Sequence, residues 1–139
     1  MIRHVLILGV ALSLLLAGCG TNQKDKLQTE TMDRYAMLVR WSQFDSLVDY
    51  IHPDWLEAHP VRQLDVDRLH QFRVTEYRMR QLIALDDGSG VARVVQIRLH
   101  HIQTARERTI QHVEAWRWDD ERERWLLHSG LPDVTAGRR

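Results

Sequence analysis

Cysteine is almost missing from this chain. Cys19 is the only one among 139 residues. A lone thiol excludes an intrachain disulfide and a multi-cysteine metal site, so the folded part must be held by packing. Lysine is scarce too, confined to Lys24 and Lys26, and arginine supplies nearly all of the positive charge. The 19 basic and 19 acidic residues interleave. With no block of one sign, neither a nucleic-acid footprint nor a polybasic membrane patch is expected. There is no internal repeat, no low-complexity segment, no glycine-rich phosphate loop and no nucleophile elbow.

What is present begins with Met1-Ile2-Arg3-His4, followed by an apolar run from Val5 to Leu16 broken only by Gly9 and Ser13. This run is shorter than the ~20 residues a spanning helix requires. It leads into Leu16-Ala17-Gly18-Cys19, which resembles the lipobox of bacterial lipoproteins. The resemblance implies a signal peptide over 1–18, cleavage before Cys19, a diacylglyceryl thioether on its sulfur and an acyl chain such as palmitate on its new amino group. Loss of Arg3 with the leader leaves one more acidic than basic residue. Gly20 follows the cysteine, and in proteins of this kind a residue other than aspartate there implies sorting to the outer membrane, facing the periplasm. Attachment to the membrane then rests on acyl chains, several holding better than one.

Residues 19–27 are polar beyond the lipid and read as a tether. At up to ~3.5 Å per residue, the polar stretch 20–26 holds a domain roughly 25 Å from the bilayer. A first helix is predicted from Thr29 or Thr31, with Met32, Tyr35, Leu38, Val39 and Ser42 on one stripe. A second is predicted over Phe44–Ile51, whose Phe44, Leu47, Val48 and Ile51 share a face. Pro53 ends it, and Asp54–Ala58 and Leu64–His70 add single turns.

From Arg73 the period changes to two. Tyr77, Met79, Ile83 and Leu85 share one face, and Asp86-Asp87-Gly88-Ser89-Gly90 turns the chain. Val91, Val95, Ile97 and Leu99 return on one face, with Gln96, Arg98 and His100 on the other. Pairing Leu85 with Val91 sets Met79 opposite Ile97 and Tyr77 opposite Leu99. A third strand, about Thr109 to Trp118, has Val113 and Ala115 on one parity and Ile110, Trp116 and Trp118 on the other, which a β-bulge would reconcile. A last hairpin across the charged loop 119–124 sets Trp118 opposite Trp125 and Trp116 opposite Leu127. Residues 28–135 thus form one α+β domain, with N-terminal helices packed on a curved four-stranded antiparallel sheet, and 136–139 form a loose end.

This element order resembles the NTF2-like (cystatin-like) cone. The segments Arg40-Trp41-Ser42-Gln43-Phe44, Ile51-His52-Pro53-Asp54, Trp116–Asp119 and Trp125–Asp133 further resemble an uncharacterised family of small proteobacterial lipoproteins. The resemblance implies location and fold, and it carries no catalytic residue onto any position here.

Among polar residues, His52, Asp54 and His59 match no zinc spacing and read as helix-ending groups. His100 and His101 point to opposite faces of a strand. His112 and Glu114 share a face, and Arg98 with His100 is placed on a neighbouring strand. Those four form a candidate polar pocket, set against a solvated face of cross-strand charge pairs. Of Trp116, Trp118 and Trp125, two are expected in the core and one at the surface. No metal or other cofactor is expected. The first functional expectation is a non-enzymatic envelope lipoprotein that binds a partner protein or supports assembly, since tethering raises local concentration. The second is a small-molecule binder using the cone's interior, and the third an enzyme. An interaction module should fill its interior and expose an apolar patch.

Overall fold

The computed structural model describes residues 23–135. The signal segment 1–18, Cys19, Gly20 and the C-terminal 136–139 lie outside the described residues. The chain divides into two compact units at Met32/Asp33. Among the described residues helix α1 covers 23–40, the part up to Met32 belonging to the first unit. The polar stretch expected to be tether is therefore helical from residue 23. It gains an i,i+4 pair, Lys26–Glu30, which supports helix without any apolar stripe.

In the second unit, the turn after α1 places Ser42 at a left-handed φ of 58°. A 3-10 helix follows over Phe44–Tyr50, then α2 over Pro53–Ala58 and α3 over Gln63–His70. Pro53 starts α2, where its missing N–H costs nothing, and His52 caps that helix by accepting from Asp54 N. Ile51 leaves the helical path and bridges Leu127 in parallel. Four antiparallel strands in the order β1-β2-β3-β4 complete the unit. They are β1 Phe72–Ala84, β2 Gly90–His101, β3 Glu107–Asp119 and β4 Arg124–Leu127. The chain is α+β, with its helices packed on this sheet, as the element order implied.

The face that the helices cover carries Val74, Val95, Ile97, Leu99, Ile110, Trp116, Trp125 and Leu127, all buried. Tyr35, Val39, Phe44, Leu47 and Leu69 meet them from the helices and are 2% exposed or less. Trp118 does stand opposite Trp125, and Trp116 opposite Leu127. Trp116 and Trp125 are core residues, whereas Trp118 is half-buried.

Two expectations need correction. Met79 pairs with Val95 and Tyr77 with Ile97. Ala84 rather than Leu85 stands opposite Val91, which accounts for one step, and the irregularity between Met79 and Gln81 accounts for the second. A further irregularity lies between Val74 and Glu76. Each irregularity inserts a residue and slips the register by one. In β3 the register with β2 is unbroken, so no bulge rescues Val113, which stays on the outer face and is 49% exposed. Trp41 is 66% exposed, with the Arg40 guanidinium over its ring.

The β1–β2 turn uses its glycines for two different reasons. Gly88 takes φ 67°, a region that costs an L side chain strain. A Cβ on Gly90 would lie 2.0 Å from the carbonyl oxygen of Trp116, so only a bare backbone fits beside β3.

Candidate functional site

Register decides which polar groups meet. Across β1, β2 and β3 the covered face carries the row Leu82, Arg93, Glu114 and the row Met79, Val95, His112. His112 and Glu114 therefore share a face, as their spacing requires. Arg98 and His100 do not join them. They pair with Thr109 and Glu107 on the opposite face, where Arg98 contacts Glu76. The cation beside Glu114 is Arg93, and the four-residue pocket does not assemble.

Glu114 is the centre of the cluster that does form. Its side chain is fully buried. Tyr77 donates its hydroxyl to Oε1 at 2.6 Å, and Trp116 donates Nε1 to Oε2 at 3.2 Å. Arg93 Nε stands 3.9 Å from Oε2, and its guanidinium lies over the Tyr77 ring. Burial raises the Glu114 pKa, and the hydrogen bonds from Tyr77 and Trp116 together with the Arg93 charge oppose that rise. Burial also raises the Tyr77 and Tyr35 hydroxyls, and the Glu114 charge adds to both. Tyr35 Oη, Arg93 Nε and His112 Nε2 are buried without a hydrogen-bond partner among the described residues.

A second cluster involves His52. Its Nδ1 accepts from Asp54 N, so Nε2 carries the proton and donates to Asp119 at 3.1 Å. His52 stacks on His128 at 4.5 Å. Both ring nitrogens are engaged in holding α2 to the end of β3, a bracing role. His59 stacks on Trp55. No group of three or more His, Cys, Asp or Glu side chains among the described residues could hold a metal ion.

His112 provides a test of the first cluster. Burial lowers its pKa to about 4, with the Asp133 charge acting the other way. The folded value lies below the unfolded one, near 6.5, so the unfolded chain takes up the proton first as pH falls. The contribution is complete above pH 6.5 and is lost between there and pH 4. That loss amounts to about 2–3 kcal/mol. Glu114 has the opposite sign, because its raised pKa means that acidification relieves a buried charge. Urea melts of wild type and His112→Leu should therefore converge in the variant's favour by about 2–3 kcal/mol between pH 7 and pH 4. A difference that stays constant would place His112 in a solvated site.

Comparison with family models, with curated proteins and with solved structures finds no match to this chain. No helix of the described residues is long and apolar enough to cross a membrane.

Proposed function

We propose that the protein is an envelope lipoprotein, anchored through lipid on Cys19 and sorted to the outer membrane, whose periplasmic domain is a non-enzymatic module that binds a partner protein. The domain is proposed to be an NTF2-like cone of the small proteobacterial lipoprotein kind. The observation that carries the binding role is the outer half of the β1–β2 hairpin. Met79 is 48% exposed, Leu82 56% and Ile83 48%, so apolar side chains stand in solvent on both faces of an edge strand. Exposed apolar surface of this kind marks a contact site. The buried polar cluster supports the same reading from the other side. Both oxygens of Glu114 are taken by Tyr77 and Trp116, and a carboxylate with no exposed surface cannot reach a substrate. The second reading, a small molecule in the interior, draws on the unpartnered Tyr35 Oη and His112 Nε2.

The anchor and the module are tested together in cells. A photocrosslinking amino acid at Leu82 should give a discrete protein adduct, and one at Glu121, a solvated loop position, should not. Cys19→Ser has no sulfur to carry the thioether, so it should lose fatty-acid labelling, membrane retention and the adduct. A labelled, membrane-bound Cys19→Ser protein rules out the anchor. Equal adducts from both positions rule out the module.

A further inference from the structure

The edge of β1 is closed over one half and open over the other. Near its start, Val74 turns its backbone away from β2. Its N–H donates to Ser42 Oγ at 3.0 Å, and its carbonyl accepts from Arg40 at 2.8 Å. The end of α1 thus covers the edge at this point. Antiparallel alternation, carried through the observed register and across both irregularities, points the backbone of Met79, Leu82 and Ala84 outward as well. The β1 side chains from Arg78 to Ala84 are all exposed.

The charge on this open half is one-sided. Arg78, Arg80 and Arg98 gather on the outer face, with Glu76 the acid placed among them. Glu76 serves both Arg78 and Arg98, and Arg80 donates to the neutral Gln96. A second copy pairing antiparallel about this segment would set Arg78 and Arg80 against the same residues of its partner, and like charges across strands repel. The arginines that block self-pairing admit a strand of opposite charge.

We propose that the open half of β1 takes an extended acidic segment of a partner protein as a fifth strand. Its alternate residues are apolar beside Met79 and Leu82, and acidic beside Arg78 and Arg80. Main-chain hydrogen bonds to Met79, Leu82 and Ala84 supply the docking, and the alternating side chains supply the selection. This inference rests on the reading of the domain as an interaction module and specifies how that module reads its partner.

The probes are two ten-residue peptides, one alternating Val with Glu and one alternating Val with Lys, added to the full-length lipidated protein in detergent. The Val/Glu peptide should bind about tenfold more tightly, as several cross-strand charge pairs imply. The double variant Arg78→Glu, Arg80→Glu should reverse the preference. Amide exchange at Met79, Leu82 and Ala84 of the wild type should slow when the Val/Glu peptide is present, a readout that does not depend on any variant folding. Equal binding of both peptides, protection confined to another surface, or a dimer formed through β1 in sedimentation would each overturn the proposal. If Leu82 adducts form in cells while charge reversal leaves them unchanged, the interaction module stands and the acidic strand does not.

Discussion

Glu114→Ala is expected to destabilise the fold by about 3–5 kcal/mol, the cost of removing one member of a buried ion pair. The size follows from what the substitution strands. Tyr77 Oη and Trp116 Nε1 both lose their acceptor, and Arg93, itself 7% exposed, keeps a positive charge with its carboxylate gone. Each buried donor left unpaired costs roughly 1–3 kcal/mol, which is more than the bond itself contributes. Domains of this size commonly have only about 5–15 kcal/mol in total, so the variant should lie close to its folding limit in urea melts.

Glu114→Gln separates hydrogen bonding from charge. The amide oxygen can accept from Trp116, while the amide nitrogen donates to Tyr77, whose hydroxyl rotates to receive it. Arg93 still loses its counter-charge, so the loss should fall below that of Glu114→Ala by roughly the 1–3 kcal/mol that each rescued donor is worth. Adding Arg93→Met to Glu114→Ala should restore part of the stability, because the stranded cation goes with its partner. If Glu114→Ala costs no more than Glu114→Gln, the carboxylate is solvated and the cluster does not organise the core.

Patterns that stay local were legible in the sequence. Trp118 and Trp125 bracket a charged loop, and their spacing alone sets them opposite one another, as observed. The pairing of His112 with Glu114 on one face follows from a two-residue step. Partners across strands were not legible, because they depend on register. Thr75 and Arg80 are the extra residues of the β1 irregularities, and neither is a glycine or proline that would announce a bulge. The parity of β3 misled for a related reason. It buries Glu114 and exposes Val113, opposite to what polarity predicts, since the charge is matched by Arg93 and Tyr77 from strands distant in sequence. The helix over residues 23–28 was not legible because those residues carry no apolar period.

Trp116→Ala should cost about 3–5 kcal/mol, the range for deleting a large buried aromatic. Trp116 is fully buried and is where the helices meet the sheet. Tyr35 packs edge-on against its ring at 5.2 Å, Tyr50 does so at 6.3 Å, and the two tyrosines contact each other at 5.4 Å. Such edge-to-face pairs add about 0.5–1.5 kcal/mol each beyond area burial. Removal of the indole would also leave a void beside the rings of Tyr35 and Tyr50. Trp116→Phe keeps a ring for both tyrosines and loses the N–H to Glu114, so it should cost about 1.5–3 kcal/mol, the worth of one hydrogen bond to a charged group. Denaturation followed by far-ultraviolet circular dichroism, which does not rely on indole fluorescence, gives both values. A cost below about 1 kcal/mol for Trp116→Ala would mean that the helices do not seat on the sheet through this ring, and the aromatic cluster would then have to be sought as an exposed binding platform.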